Sequence, residues 1–293
     1  MTEVHHFAYG WISPALAYGL SFFGYLFGLV LAARARGSSG PSRARWLTLA
    51  AVAIGGLGIW ASHFMALLGF DVVETMLRYD ATVTALGFGI AIVVTCLGVY
   101  LVGFGRPSAW KVIVAGLYTG VGLVMVHWTG VLAMRLSGRV SYDPRLAAIG
   151  LGVGVLTATI GLWFVMVIRG GAATVFAAMI MAVSACSTHY LVMSAIRVEL
   201  TDAGIDGTAG VNPFVLLAPV CLLATLMISG LAYSTVGFSV QPNTAKEEAL
   251  LARARAMYTA ASLLRSQHRG RAGQLVTSRP EKRAQAAVQK TNV

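Results

Sequence analysis

Seven long apolar stretches decide what this chain can become. They cover residues 12–33, 46–69, 81–103, 110–134, 146–168, 172–196 and 213–233. Each is long enough to cross a bilayer as a helix, which takes about 20 mostly apolar residues. None carries Asp, Glu, Lys or Arg away from its ends. Hydrocarbon offers no partner to backbone N–H and C=O groups, so such a stretch must satisfy them internally, as an α-helix does. Composition agrees. Only 11% of the residues are charged, against about 25% in soluble domains, so much of the surface must face lipid. The 33 glycines suit helices that pack closely. The expected fold class is all-α: a polytopic membrane protein with seven transmembrane helices over residues 11–235.

Charge sets the expected orientation through the excess of Lys and Arg on cytoplasmic segments. With residues 1–10 outside the cell, the short inner segments hold Arg34, Arg36, Arg43, Arg45, Arg106, Lys111 and Arg169, and the C-terminal tail holds ten more basic residues. The outer loops hold only Arg78, Arg135, Arg139, Arg145 and Arg197. The N-terminus is thus expected outside and the C-terminus inside. Residues 1–10 lack the basic segment that opens a cleavable signal peptide. A bacterial plasma or inner membrane is the expected location.

The histidines within the spans are His63, His127 and His189. They fall on the second, fourth and sixth stretches, which all run outward. Each precedes a charged residue of the outer loops by eight positions: Asp71, Arg135 and Arg197. Eight helical residues rise about 12 Å, so the three imidazoles should share one depth in the outer half of the bilayer. Separations of 64 and 62 residues imply three parallel two-helix repeats following a first helix that stands apart. A single intramembrane histidine is often a packing residue bonded to a neighbouring hydroxyl or carbonyl. Three at one depth point instead to a shared site, since neutral imidazole is a common metal ligand and unpartnered buried imidazoles are costly.

Soft donors lie nearby. Cys186 and Met193 flank His189 at three and four positions, on the same helical face. Met65 and Met125 lie two positions from their histidines, on other faces. Cys96 and Cys221 read as buried small hydrophobes, and no CxxC pair suggests a disulfide or redox motif.

The windows SHFMALLGF, VHWTGVLAMR and THYLVMSA resemble the MHYT family, named for a Met-His-Tyr-Thr motif repeated on three outward-running helices. The resemblance covers about residues 10–235. It rests on His63 and Phe64, on His127, Trp128, Thr129, Gly130, Met134 and Arg135, and on His189, Tyr190 and Met193. It implies a membrane sensory module proposed to bind copper and, through it, oxygen, carbon monoxide or nitric oxide. Such modules are often fused to cytoplasmic domains that make or degrade cyclic di-GMP. The chain departs from the motif. Ser62, Val126 and Thr188 stand where the family has Met before His, and Leu67 and Val131 replace the Met four positions after it. Thioether favours Cu(I), whereas imidazole alone also suits zinc, Cu(II) or iron. Copper is the expected ion, with zinc and haem iron open.

Residues 236–269 are expected to hold a basic amphipathic cytoplasmic helix. Thr244 and Glu247 have capping-box spacing, and Leu250, Ala254, Met257, Ala261 and Leu264 form one stripe. The helix over residues 244–265 suits either the anionic inner leaflet or a separate cytoplasmic signalling partner. Residues 270–293 read as a disordered basic tail. Nucleic acid is not an expected partner. The tail is too short for a cyclase or phosphodiesterase domain, and no Ser-His-Asp set, paired carboxylates or HExxH motif suggests an enzyme.

Three functions remain open from the sequence. One is a sensor holding a metal or a diatomic gas through the three histidines. A second is a channel or transporter for a metal ion or small solute, which the missing intramembrane carboxylates oppose. A third is a haem protein with two histidines on the iron.

Overall fold

The computed structural model describes residues 4–5, 8, 10–72, 77–106, 108–200, 210–237 and 251–258. Its helices are α1 (Ile12–Arg36), α2 (Gly40–Val52), α3 (Ser62–Leu67), α4 (Ala81–Gly103), α5 (Ala109–Ala133), α6 (Pro144–Val167), α7 (Gly171–Met193) and α8 (Pro213–Gly237). A π-helical segment, Ala53–Ala61, joins α2 to α3, so these three form one continuous span, Gly40–Leu67. Among the described residues, seven helices are therefore long and apolar enough to cross a membrane. The second span is the most enclosed, with 78% of its apolar window buried, whereas α8 buries only 17%.

The ends of three spans differ from the sequence expectation. The second begins at Gly40 rather than residue 46, with Pro41 in its first turn, where proline's missing N–H costs nothing. Its Arg43 and Arg45 lie over the rings of Phe104 and Trp46. The fourth and sixth apolar runs overshoot their helices. Met134 belongs to strand β4 (Met134–Arg135) and Ile196 to β6 (Ile196–Leu200). An apolar run by itself does not separate a helix end from a following strand.

Helix association in a membrane depends on close packing rather than hydrophobic driving force, and the second span shows how it is achieved. A Cβ on Gly24 of α1 would lie 2.2 Å from the backbone nitrogen of Gly58 in the π segment. Only glycine permits that approach. The Ser21 hydroxyl donates to the Gly58 carbonyl at 2.9 Å, and the Ser62 hydroxyl donates to the same oxygen at 2.6 Å. The wide π turn carries the chain directly into Ser62 and His63. Wide turns of this kind recur at functional sites.

Short antiparallel ribbons cap the end of the bundle nearest the histidines. β1 (Val4–His5) pairs with β2 (Asp71–Val72), β3 (Arg78–Tyr79) with β4, and β5 (Gly138–Tyr142) with β6, in register from Gly138↔Leu200 to Tyr142↔Ile196. At the opposite end two arginines from the last turn of α1 bind carbonyls of other helices. Arg34 donates to Ser234 O at 2.7 Å and to Thr235 O, at the end of α8. Arg36 donates to Val165 O and Ile168 O, at the end of α6. These carbonyls are the orphan acceptors left by a terminating helix.

Residues 1–236 form one compact unit and residues 237–293 a second. In the second, residues 251–258 are helical and lie within the expected tail helix. The rest of that helix, including its capping box, and the 270–293 tail lie outside the described residues.

Candidate metal centre

Three helices that touch mainly through other elements bring one imidazole each to a common point. His63 comes from α3, His127 from α5 and His189 from α7. Ring centroids lie 4.9 Å apart for His63 and His127, 4.8 Å for His63 and His189, and 5.7 Å for His127 and His189. The Nδ1 atoms of His63 and His189 approach to 2.8 Å. One nitrogen from each residue can be chosen so that all lie within 4.8 Å of one another, and among the described residues this is the group of His, Cys and acidic side chains so arranged. First-row ions bind imidazole nitrogen at about 2.0–2.1 Å, which sets tetrahedral donor atoms about 3.3 Å apart. To hold one ion, the closest pair would have to open slightly and the widest to close.

Local packing explains the convergence. Gly130 of α5 faces His63 so closely that a Cβ there would lie 2.4 Å from His63 Nε2. The glycine vacates the space that the imidazole fills. His127 and His189 are buried, and the enclosed Nε2 atoms of His63 and His127 have no hydrogen-bond partner. An unsatisfied buried polar atom costs about 1–3 kcal/mol, and an ion is one way to satisfy several together. The all-nitrogen donor set with unsatisfied ring nitrogens fits Cu or Zn chemistry.

A cavity of about 90 Å³ adjoins the three rings. Ser62, Ala66, Leu123, Val124, Gly154 and Thr188 are among the residues that line it. Cys186 also lines it, in keeping with its position one turn before His189. Met193 does not. It is fully buried in an apolar cluster with Trp60, Phe64 and Met134. Met65 packs in a separate cluster with Ala17, Ala66, Cys186 and Tyr190, and Met125 is 55% exposed on the lipid side of α5. Phe64 stacks on Trp60 and meets Tyr79 edge-on, supporting α3 from behind. Tyr190 lies edge-on to His189 at 5.0 Å, and Trp128 lies 4.6 Å from Tyr142 at the side of the cavity. Burial pushes the Tyr142 phenol up to about 12, so it stays a neutral O–H. Thr129 turns its hydroxyl back to Val126 O at 2.7 Å.

Two carboxylates escaped the sequence reading. Asp80 caps α4 by accepting from the amides of Thr82 and Val83, and binds Arg135 at 3.0 Å. Asp143 caps α6 by accepting from Arg145 and Leu146, and binds Arg197 at 3.3 Å. The backbone amides of Val83 and Leu146, with the arginines beside them, hold both carboxyls below the usual range. Each pair ties the start of a returning helix to the residue eight positions after a histidine. The signal was present: an Asp before an apolar run is an N-cap, and this one recurs 63 residues apart.

A multi-pass membrane protein with a histidine cluster inside its bundle is the class these features define. Residues 56–116 and 120–178 match the family model MHYT, described as a bacterial signalling protein N terminal repeat. The chain contains an MHYT domain, of a signalling family. Relatives include the bifunctional diguanylate cyclase/cyclic di-GMP phosphodiesterase MucR of Pseudomonas aeruginosa, 25% identical over 77% of this chain and 34% of that protein. The cyclic di-GMP phosphodiesterase NbdA of the same organism is 33% identical over 43% of this chain and 16% of its own length. An uncharacterized signaling protein of Caulobacter vibrioides is 30% identical over 44% and 16%. The chain thus spans about a third or less of each of these relatives. No solved structure matches it.

Proposed function

We propose that this chain is the sensory part of a signalling system in a bacterial plasma or inner membrane, and that it holds a metal ion, copper first, on His63, His127 and His189. The observation that carries the reading is the approach of three imidazoles from α3, α5 and α7 with ring nitrogens within 4.8 Å. The signalling family and the cyclic di-GMP names of the relatives support the sensory role. A bound ion would supply a coordination position whose occupancy differs between two states of the bundle, which is what a sensor needs. The chain's own residues position the three rings and keep water from them. The opposite end of the bundle, with its arginines, would face the cytoplasm, where the tail would meet a signalling partner or the membrane surface.

Haem fits poorly, because a cavity of about 90 Å³ cannot take a porphyrin. The test is metal analysis of the purified full chain beside the variant with all three histidines changed to alanine. The wild type should retain about one ion per chain and the variant none. Equal metal content in the two proteins ends the metal reading.

A further inference from the structure

The cavity beside the histidines owes its existence to one helix face. α6 turns Ala147, Gly150, Gly154 and Thr157 toward it, all small, at helical spacings of three, four and three. Gly154 is unlike the other described buried helical glycines. Apart from Gly58, whose nearest neighbours would stand at an ordinary 3.5 Å, each of those has an atom within 2.8 Å of where its Cβ would stand, so a side chain there forces a neighbour to move. Gly150 is such a case, with Val192 at 2.5 Å. A Cβ on Gly154 would meet only the Thr188 methyl, at 3.9 Å. Packing does not require glycine there. The volume its side chain would fill is the cavity itself.

The cavity also reaches the lipid-facing surface. Trp128 of α5 is 43% exposed and Leu151 of α6 is 39% exposed, yet both line it. Both lie within membrane-spanning helices, so the opening faces bilayer rather than bulk water. Among the described residues, no Asp, Glu, Lys or Arg lines the walls. A charged ligand would lose its hydration there without compensation.

We propose that this cavity is a ligand chamber entered from the bilayer between α5 and α6, that it admits an uncharged molecule of only a few non-hydrogen atoms, and that Gly154 sets the size limit. Its volume is close to that of about three water molecules. The sensory role of the chamber rests on the histidine reading above, but the chamber does not require a metal. Dry apolar cavities of about 150 Å³ take up xenon or benzene, so xenon is a suitable metal-independent probe.

The experiment is ¹²⁹Xe NMR on the full chain in lipid nanodiscs, with metal content measured on the same samples. The wild type should show a saturable bound-xenon signal. Gly154→Leu should abolish it and leave metal content unchanged. Gly152→Leu, on the exposed lipid side of the same helix, should bind xenon as the wild type does. Ala147→Leu narrows the same chamber and serves if Gly154→Leu does not accumulate. Xenon binding that survives both substitutions overturns the proposal. So does a wild type that binds none because a lipid tail fills the space. A wild type that binds xenon but no metal ends the histidine reading and leaves the chamber standing.

Discussion

The Nδ1 atoms of His63 and His189 lie 2.8 Å apart, although 126 positions separate them in the chain. At that distance one Nδ1 donates a proton and the other accepts it, so the tautomer of one ring fixes that of the other. His127 completes the cluster, with its centroid 4.9 Å from that of His63.

Each histidine should therefore matter separately. Supporting residues around a metal site cost about 10–100-fold in affinity when lost, and a ligand should cost more. His63→Ala, His127→Ala and His189→Ala should each weaken Cu or Zn binding by more than about a hundredfold in a competition titration. Met193→Leu, in its apolar cluster away from the cavity, should change affinity little. A Met193→Leu loss as large as the histidine losses would return the thioether to the ligand set.

Gly130 should be intolerant of even a methyl group. Its Cβ would stand 2.4 Å from His63 Nε2. Gly130→Ala should displace the His63 ring and reduce metal content in parallel with thermal stability, by about 1–3 kcal/mol for an overpacked core site. Thermal unfolding of the two proteins in one detergent, with and without added metal, checks this. Retained metal with unchanged stability would show that the ring has another place to go.

Gly24→Ala probes the other contact that places His63. A Cβ at Gly24 would meet backbone atoms of Gly58, which cannot rotate away. α1 must separate from the π segment, at a cost above that of a typical overpacked side chain of about 1–3 kcal/mol. Folded yield and melting temperature should both fall. The neighbouring Gly19→Ala, with open space around its Cβ position, is the control.

The caps at Asp80 and Asp143 give a pH dependence with a defined sign. Both carboxyls titrate below their usual range in the folded protein because amide donors and arginine favour the charged form. Their stabilising contribution is complete above the unfolded carboxylate value of about 4. It is lost as pH falls through the lower folded values. Melting temperature should drop as pH falls below about 4, and the Asp80→Asn, Asp143→Asn double variant should show a shallower drop. Parallel curves for the two proteins would remove these carboxylates from the account.

Arg34 joins the end of α1 to the end of α8. Its guanidinium reaches Ser234 O and Thr235 O together, a two-pronged contact that a lysine cannot reproduce. Arg34→Gln and Arg34→Lys should both speed hydrogen exchange in the last turns of α8. A loss of about 1 kcal/mol corresponds to about fivefold faster local opening. Exchange elsewhere, for example in α5, should stay unchanged.

Much of this was legible in order. Span number followed from apolar length, because a bilayer leaves the backbone no alternative to helix. The common depth of His63, His127 and His189 followed from their equal distance to the charges beyond their helix ends. The strand residues Met134 and Ile196 were not legible, since an apolar run looks the same before and after a helix ends. Met193 shared a helical face with His189 at four positions, yet it packs among Trp60 and Phe64. One helical face spans a wide arc, and neighbouring helices decide which part of it meets the cavity.

The sequence alone determined seven spans, three histidines at one level and a motif missing most of its methionines. Those features depend on local chemistry, namely hydropathy, helical rise and residue identity. Tertiary structure alone decided that the rings meet, that Gly130 makes room for His63 and that Gly154 leaves a chamber beside them. Rotation of each helix about its axis fixes such contacts. Rotation is set by how glycines and side chains of distant segments interlock, as at Gly24 and Gly58, and the order of residues along one helix does not encode it.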